Sequence, residues 1–422
     1  MTGCTGGYRN PAVPGACGAS MPGLRHGGDT LAYRERFGRD PLDFSANTNP
    51  LGMSPAARVA AGEALSTADR YPDPVCRELR CALSRETGVE ARHIRCGNGA
   101  ADLLFRLCYA LRPRRVLLCA PTFSEYEHAV RAAGAQIEFY VLDELNGLAL
   151  DQGILERIVP GIDMVFVCEP NNPTGLLSDR SVLRGLRLRC RETGARLVVD
   201  ECFAGFCRAS SADPMPTMTP FVERMPELVI LRAFTKLYGM AGLRLGYLMC
   251  SDEGLLSNLD AAGQPWPVSS VAQAAGVAAL GDSAYISRTL SLISAERARL
   301  SAALAEAGCD VWPSRANYLL LFCPVAGICD AMAEAGVMVR DCSGYRGLRE
   351  GYVRMAVRTP GEDDRLAAAF AGRIQDAVGR GISLLRRPDL PAWWQGSFGR
   401  RLPGEPAAPA APSEPVREGG AL

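Results

Sequence analysis

The chain has 422 residues, of which 48% are apolar and 22% are charged, and its 46 basic side chains balance 46 acidic ones. The apolar fraction is too high for a disordered chain, and a net charge of zero gives no electrostatic reason to expect a nucleic acid or an anionic membrane as partner. A length above 400 residues predicts a large domain with a smaller one beside it.

Short apolar runs alternate with amphipathic helical stretches through the first two thirds of the chain. Repeated strand–helix alternation is typical of a mostly parallel sheet covered by helices on both faces. We therefore expect an α/β fold whose ligand site lies at the carboxyl ends of the strands. The pattern predicts strands at 115–119, 136–141, 163–168, 196–200, 228–232 and 246–250, with a helix at 178–194.

A second group of elements follows a long predicted helix at 284–307. Its pattern indicates a smaller α+β domain with strands near 318–323, 337–340 and 352–357 and helices at 328–335 and from residue 362. We expect a flexible leader at 1–25, an N-terminal arm completing the small domain at 26–70, a large domain at 71–282, the small domain at 283–380 and a disordered Pro/Ala-rich tail at 381–422.

No apolar stretch is long enough for a membrane-spanning helix, because the most apolar window, 318–339, contains Asp330 and Glu334. The first thirty residues have no apolar signal core, so we expect a cytoplasmic protein without a membrane partner. The 16 cysteines include no C-x-x-C pair. In such a chain they are expected to be buried free thiols, and no metal site is predicted.

Lys236 is the only lysine in the sequence, and every other basic residue is an arginine. Arginine stays protonated, whereas a lysine with a lowered pKa can attack a carbonyl carbon and form a Schiff base. A bias toward arginine explains the other basic residues without any function. The alternative for Lys236 is an ordinary surface lysine, and the neighbouring motifs decide between the two interpretations.

Three motifs at predicted strand ends offer ligand groups of different kinds. The glycine turn at 96–102 opens a predicted helix, whose first N–H groups can hold a phosphate, although most such turns only reverse the chain. Asn172, in a loop that two prolines and a glycine constrain, can present its amide to a ligand. Asp200 ends a strand, where its carboxylate can pair with a protonated ring nitrogen or cap a helix.

The fourth motif contains the lysine itself. Thr235 and Lys236 follow a predicted strand, and Arg244 lies eight residues later in a glycine-spaced loop, where its charge can neutralise a phosphate. A nucleophilic lysine, an acid for a pyridinium and donors for a phosphate are together what pyridoxal 5′-phosphate requires of a protein. The order and spacing of these residues predict that cofactor.

The chain from about residue 26 to 372 resembles the fold-type I pyridoxal-phosphate enzymes of the aminotransferase class I/II family. The shared motifs are P-N-N-P-T-G at 170–175, D-E at 200–201 and T-K-x-x-x-x-x-G-L-R-L-G-Y at 235–247. Four further motifs are similar to those of the threonine-phosphate decarboxylase branch, to which the histidinol-phosphate aminotransferases are related. These motifs are H-G-G at 26–28, D-F-S-A-N-x-N-P-L-G at 43–52, R-Y-P-D at 70–73 and R-A-N-Y-L-L-L at 315–321.

The resemblance implies a large domain with a mostly parallel seven-stranded sheet, a smaller α+β domain and a set of residues that bind pyridoxal phosphate. Lys236 would form the Schiff base, and Asp200 would pair with the pyridine nitrogen. Both are the expected catalytic residues. The remaining cofactor-binding residues would be Asn172 at the 3′ oxygen, Phe123 on the ring face, and Gly99, Ala100, Thr235 and Arg244 around the phosphate.

The same resemblance implies a homodimer and a substrate with two anionic groups. Tyr71 would reach the cofactor from the partner subunit, which makes the homodimer part of the site. Arg354 would bind a carboxylate beside Asn172. Arg340, His26 and Asn47 would bind a phosphate. We leave His93 and His128 as structural residues.

The implied reaction is decarboxylation of L-threonine O-3-phosphate to (R)-1-amino-2-propanol O-2-phosphate in cobalamin biosynthesis. The alternatives are a pyridoxal-phosphate aminotransferase acting on a phosphorylated substrate such as histidinol phosphate, and a non-catalytic protein of the same fold. Two positions depart from the family pattern. Ala233 stands where many relatives carry a hydroxyl residue, and Phe203 stands where aminotransferases commonly have a tyrosine.

Overall fold

The computed structural model describes residues 27–208, 214–388 and 390–391. The predicted leader, His26 and most of the predicted tail lie outside the described residues. The helices are α1 (Thr30–Phe37), α2 (Pro55–Ala64), α3 (Arg77–Thr87), α4 (Gly99–Leu111), α5 (Ser124–Ala132), α6 (Ile154–Arg157), α7 (Arg180–Thr193), α8 (Glu253–Ala261), α9 (Ser270–Gly281), α10 (Ser283–Glu306), α11 (Ile328–Glu334) and α12 (Pro360–Gly379).

Short strands alternate with these helices through most of the chain. They are β1 (Leu42–Asp43), β2 (Ile94–Gly97), β3 (Arg115–Ala120), β4 (Gln136–Val141), β5 (Met164–Cys168), β6 (Arg196–Asp200), β7 (Leu228–Ala233), β8 (Gly246–Met249), β9 (Asp310–Val311), β10 (Tyr318–Phe322), β11 (Val337–Met338), β12 (Arg340–Asp341) and β13 (Tyr352–Ala356). The predicted strands therefore end within one or two residues of the observed ones.

A seven-stranded sheet with the order β2-β8-β7-β6-β5-β3-β4 forms the larger unit. Strands β7, β6, β5, β3 and β4 run parallel, while β8 is antiparallel to both of its neighbours. The expected α/β fold with a mostly parallel seven-stranded sheet is thus confirmed. Because the parallel strands end at one edge, the loops after β5, β6 and β7 lie side by side there.

The central strands are buried on both faces, as a parallel sheet between two helical layers requires. All five residues of β5 are buried. Val165 and Val167 belong to one apolar cluster with α7, whereas Phe166 and Cys168 belong to the cluster on the opposite face. This alternation follows from the two-residue period of a strand and explains the continuous apolar run that predicted β5.

The strand β2 has no counterpart among the runs that the apolar pattern marked. It has four residues, Ile94–Gly97, and includes the polar Arg95. It is an edge strand, paired only with β8 of the large sheet. A short edge strand buries little apolar surface, so its sequence pattern is weak.

A four-stranded antiparallel sheet of order β12-β13-β10-β9 forms the smaller unit. The N-terminal segment contributes β1, which pairs with β11 through Leu42 and Val337. The single strand predicted at 337–340 is therefore wrong, since β11 pairs with β1 and β12 pairs with β13. At Val339 the chain passes from one sheet to the other, so the predicted strand is divided into two short strands.

The described residues after α12 pack on the small unit. Leu385 N–H donates to the Pro324 carbonyl, and the Arg387 guanidinium donates to Asp310 Oδ1 at 2.8 Å. The first residues of the predicted tail thus have partners in the fold. None of the helices in the described ranges combines the length and the apolar character needed to cross a bilayer.

Candidate active site

Lys236 follows β7 and faces a cavity of about 350 Å³ between the two sheets. Its Nζ lies 5.5 Å from the centroid of the Phe203 ring. Burial lowers the pKa of this amine to about 8, and the positive charges of Arg354 and Arg244 act in the same direction. A buried lysine of lowered pKa supplies the neutral amine that attacks a carbonyl carbon.

The start of α4 provides the predicted phosphate cup. Gly99 has φ +83°, and a Cβ atom there would lie 2.7 Å from Arg244 Nη2. The guanidinium thus packs against the helix N-terminus, where the N–H groups and the helix dipole also favour an anion. Thr235 is buried and lines the same cavity, as does Ala100. These residues can hold a phosphate together.

Gly246 explains how strand β8 and helix α4 come close enough to form this cup. A Cβ atom at Gly246 would lie 2.3 Å from Ala100 N. Gly246 is paired with Gly97 across β2 and β8. Only a residue without a side chain allows this approach of strand to helix, and the glycine at position 246 of the motif is therefore a packing requirement.

Asp200 lies at the carboxyl end of β6, and its oxygens already have two donors. Tyr126 OH donates to Oδ2 at 2.6 Å, and the backbone N–H of Cys202 donates to Oδ1 at 2.9 Å. Burial and the neighbouring carboxylate raise the pKa of the Tyr126 phenol well above its usual range, so this residue stays a donor. These two bonds fix the orientation of the Asp200 carboxylate at the end of β6.

The residue Tyr126 was missed at the sequence level. It lies three residues after Phe123, and the two rings meet edge to face with centroids 5.5 Å apart. Tyr126 ends the segment P-T-F-S-E-Y at 121–126, but no local pattern connects its hydroxyl to an acid 74 residues away. Cys202, Ser45 and Tyr345 also line the cavity without having been predicted.

The two asparagines of the P-N-N-P-T-G loop have different tasks. The Asn171 amide is bonded within the protein, because Oδ1 accepts from Thr122 Oγ1 and Nδ2 donates to the Pro121 carbonyl. Asn172 instead faces the cavity, and its Oδ1 accepts from Arg354 Nη1 at 2.7 Å. Asn171 therefore fixes the loop, and Asn172 is the one available to a ligand.

Arg354 and Arg340 are directly opposite each other on β13 and β12. Arg354 is 7% exposed, and its Nη2 donates to the Ser45 carbonyl at 2.9 Å. Two polar atoms at this end of the cavity have no hydrogen-bond partner among the described residues, namely Arg354 Nε and Asn47 Oδ1. A buried donor and acceptor without partners indicate a site that a polar ligand completes.

Most of the residues predicted for the site meet at this one cavity. Of the predicted set, its walls contain Asn47, Ala100, Phe123, Asn172, Asp200, Thr235, Lys236, Arg244, Arg340 and Arg354. Tyr71 is not among the lining residues; it is 78% exposed and stacks on Trp266 with centroids 4.2 Å apart. His26 lies outside the described residues, so its predicted role stays a prediction.

The two departures from the family pattern also lie at the cavity. Ala233 is part of its wall and supplies no hydroxyl group. Phe203 packs edge to face on Tyr318, with centroids 4.9 Å apart. The Tyr318 hydroxyl donates to the Asn171 carbonyl at 2.8 Å, so this nearby phenol is already engaged.

The other two histidines have acidic partners. His93 Nδ1 lies 2.7 Å from Glu223 Oε2, and His128 Nδ1 lies 2.9 Å from Glu125 Oε1. Ligand atoms of Glu90, His93 and Glu223 lie within 4.8 Å of one another. Glu223 Oε1 in that group already accepts from the backbone N–H of Glu90.

The observed residues fit pyridoxal 5′-phosphate. A buried amine of lowered pKa, an aspartate held by two donors and an arginine that packs against Gly99 at the start of α4 face one cavity. This combination, on a doubly covered sheet with a small second unit, defines a fold-type I pyridoxal-phosphate enzyme. The cofactor expected from the sequence is confirmed by the comparisons that follow.

The chain belongs to the aminotransferase class I and II family, whose model matches residues 39–370. It is 37% identical over 354 residues to a threonine-phosphate decarboxylase of Salmonella typhimurium, covering 82% of this chain and 95% of that protein. It is also 34% identical over 359 residues to a histidinol-phosphate aminotransferase of Symbiobacterium thermophilum, covering 82% and 93%.

Solved structures of both activities share the fold. A histidinol-phosphate aminotransferase from Clostridium acetobutylicum matches with a TM-score of 0.74 and 26% identity, covering 79% of this chain and 99% of the other. An L-threonine-O-3-phosphate decarboxylase from Porphyromonas gingivalis matches with a TM-score of 0.68 and 25% identity, with the same coverage. The protein is a pyridoxal-phosphate-dependent enzyme, and the comparisons include both decarboxylases and aminotransferases.

Proposed function

We propose that this enzyme decarboxylates L-threonine O-3-phosphate to (R)-1-amino-2-propanol O-2-phosphate, a step of cobalamin biosynthesis. The observation that carries the proposal is the cross-strand pair Arg340 and Arg354 on the wall of the Lys236 cavity. Side chains directly opposite on antiparallel strands have Cβ atoms about 5 Å apart. Two arginines that start from neighbouring positions on one cavity wall suit a short substrate with a carboxylate and a phosphate on neighbouring carbons.

The substrate-binding residues divide the two anionic groups between them. We assign the α-carboxylate to Arg354, because Asn172 and the Ser45 carbonyl hold its two terminal nitrogens in place and leave Nε unpaired. We assign the phosphate to Arg340, with His26 and Asn47 beside it. Arg354 suits the carboxylate of threonine phosphate, and it would equally suit the carboxylates of the 2-oxoglutarate and glutamate that an aminotransferase uses, so the products of the reaction must separate the two candidates.

When bound, pyridoxal phosphate withdraws electrons from the bonds around the Cα atom of an attached amine. The protein decides which of these bonds lies perpendicular to the ring. Arg354 holds the carboxylate, and this orientation selects the Cα–carboxylate bond. Asp200, which Tyr126 holds in place, would pair with the ring nitrogen of the cofactor and keep it protonated. Lys236, in its protonated form, would deliver the proton that takes the place of the carboxylate on Cα.

The remaining predicted contacts concern the cofactor. We propose that Phe123 stacks on its ring, that Asn172 bonds its 3′ oxygen, and that Gly99, Ala100, Thr235 and Arg244 hold its phosphate. Tyr71 would add a bond from the partner subunit of a homodimer. The 37% identity to the decarboxylase of Salmonella typhimurium, over 82% of this chain and 95% of that protein, supports this proposal.

Aminotransfer is the second candidate, and the 34% identity to a histidinol-phosphate aminotransferase supports it. The two reactions differ in their products. The test supplies the enzyme with L-threonine O-3-phosphate and measures CO₂ and the phosphorylated amino alcohol; a parallel reaction supplies histidinol phosphate with 2-oxoglutarate and measures glutamate. We expect CO₂ in the first and no glutamate in the second, with Lys236→Ala inactive. Glutamate without CO₂ would overturn the proposal.

A substitution of Arg340 tests whether this residue binds the substrate phosphate. Arg340→Gln removes a charged partner of the phosphate, and such hydrogen bonds contribute about 1.5–3 kcal/mol. We therefore expect the KM for threonine phosphate to rise about 10- to 100-fold. Arg349→Gln, in the connection between β12 and β13 but directed to Glu144, is the control and should leave KM unchanged. An unchanged KM in Arg340→Gln would contradict the assignment.

A further inference from the structure

Decarboxylation of an amino acid consumes one proton in every turnover. The carboxylate leaves as CO₂, the electron pair of the broken bond stays on Cα, and a proton replaces the carboxylate there. In aminotransfer, by contrast, the proton removed from Cα is returned within the same molecule. A decarboxylase with a buried Lys236 therefore needs a route by which its amine recovers a proton after each cycle.

Two side chains on helix α5 connect the active-site cavity with the outside. Glu125 lines the cavity that contains Lys236, while His128 lines a second cavity of about 570 Å³. The Glu125 Oε1 and His128 Nδ1 atoms are 2.9 Å apart. The Glu125 side chain is 13% exposed and that of His128 is 39% exposed, so the pair leads from a sheltered position to a solvated one.

The second cavity adjoins the first. Phe123, Ser124, Arg340 and Tyr345 line both cavities and form the wall between them. The Glu125–His128 contact follows Phe123 and Ser124 on α5, and it joins a residue that lines the first cavity to one that lines the second.

Most charged residues around His128 have other partners in the fold. Arg131 donates to Glu127 Oε1 at 2.6 Å, and Arg346 lies over the Phe139 ring at 4.0 Å. Asp341 Oδ1 accepts from the Ser343 N–H. The remaining charged residue that lines the second cavity is Arg340. The imidazole of His128 has two ring nitrogens, so it can accept a proton at one and donate a proton from the other.

We propose that Glu125 and His128 form a proton relay that resupplies the active site after each decarboxylation; the inference rests on the proposed function. His128 takes a proton from water at Nε2 and gives its Nδ1 proton to Glu125 Oε1. Glu125 then protonates the Lys236 amine in the shared cavity and returns to the carboxylate. One proton enters from solvent for each CO₂ that leaves, so charge and atoms balance.

The first experiment compares the variants Glu125→Gln and His128→Gln with wild type in steady-state CO₂ release from threonine phosphate. Loss of a proton-transfer group costs about 10²-fold or more in rate, so we expect kcat to fall by that factor while KM stays within twofold. Glu127→Gln, on the same helix but paired with Arg131, is the matched control and should behave as wild type. An unchanged kcat in the two relay variants overturns the proposal.

The second experiment separates proton delivery from a structural role. His128→Ala opens space at a half-exposed position, and added imidazole should restore most of the lost kcat in proportion to its concentration. Restoration by imidazole supports the relay, and a loss that imidazole does not restore overturns it. If wild type releases no CO₂ in the same assay, the proposed function has failed, which is a different result from an unaffected relay variant.

Discussion

The amine of Lys236 lies where its charge is disfavoured. Burial and the nearby guanidiniums of Arg354 and Arg244 lower its pKa to about 8. At pH 7 about a tenth of such amines are neutral, against less than about a thousandth for an ordinary lysine. The sequence singled out this residue because it is the only lysine, but its reactivity depends on the residues that surround it.

This pKa predicts how the cofactor-free enzyme reacts with pyridoxal phosphate. Only the neutral amine attacks the aldehyde, so the rate of covalent attachment should rise with pH and level off above about pH 8, the pKa of the folded-state amine. Stopped-flow absorbance measures this rate, with Lys236→Ala as the variant that forms no such bond. A rate that keeps rising to about pH 10, the range of an ordinary lysine, would contradict the prediction.

Phe203 gives a second prediction at the residue scale. Its ring lines the cavity near Lys236 and carries no donor for the cofactor's 3′ oxygen. Phe203→Tyr would add a phenol that stabilises the ionised 3′ oxygen. The pKa of the Schiff-base nitrogen that joins Lys236 to the cofactor should therefore fall by on the order of one unit. An absorbance titration of the loaded enzyme measures this pKa. An equal or higher pKa in the variant would refute the expectation.

The junction of β2, β8 and α4 decides whether the phosphate cup exists. Gly99→Ala would place a Cβ at 2.7 Å from Arg244 Nη2, and its φ of +83° is strained for alanine. We expect cofactor affinity to fall at least about tenfold, measured as the Kd of pyridoxal phosphate. Gly372→Ala, exposed in α12 with nothing within 4 Å, is the control and should leave this Kd unchanged. Equal affinity in both variants would show that Arg244 does not need the space at Gly99.

The ends of β6 and β7 are tied together by a buried ion pair. Arg232 Nε and Nη2 both donate to Glu201 Oε2, at 3.0 and 2.7 Å. Glu201 directly follows Asp200, and Arg232 precedes Lys236 by four residues, so the pair keeps the two loops in register. The second acid of the D-E motif is thus structural.

Breaking this ion pair should destabilise the whole protein. Glu201→Gln leaves a buried guanidinium without its counter-charge, and we expect the free energy of unfolding to fall by about 3–5 kcal/mol. Chemical denaturation measures the loss. The exposed pair of Arg131 and Glu127 provides the comparison, since Glu127→Gln should cost less than about 1 kcal/mol. A loss of similar size in both variants would mean that burial does not set the strength of the inner pair.

At the scale of the whole molecule, the site depends on the two sheets together. Lys236, Asp200 and Asn172 come from loops of the large sheet, whereas Arg340 and Arg354 come from the small one. The bond from Arg354 to Asn172 joins them across the cavity. A movement of one sheet relative to the other would therefore change the distance between the amine and the groups that orient its substrate.

The exposed Tyr71 allows a test of the proposed homodimer. If Tyr71 completes the site of the partner subunit, a dimer of one Lys236→Ala chain and one Tyr71→Ala chain has one site with both defects and one with neither. Random mixing makes half of the dimers hybrids, so the mixture should regain about a quarter of wild-type activity. Activity no higher than the mean of the two separate variants would contradict a shared site.

Local sequence patterns were enough to predict the large sheet and several residues of the site. The strand–helix alternation predicted the large sheet because a strand buried on both faces must be apolar throughout, as β5 is. Lys236, Asp200 and Asn172 were predicted because each follows such a strand, and parallel strands end at the same edge. The edge strand β2 and the break at Val339 were not predicted, because such short strands leave almost no periodic signal in the sequence.

Contacts between distant parts of the chain required the folded structure. Nothing local connects Tyr126 with Asp200, Arg354 with the Ser45 carbonyl, or Arg340 with its cross-strand partner. Each of these contacts depends on where whole elements pack, and small shifts in packing change hydrogen-bond distances completely. Chemical identity and order along the chain therefore pointed to the cofactor and its lysine, while the division of the substrate site between two sheets, and the acid–imidazole pair leading out of it, follow from long-range packing.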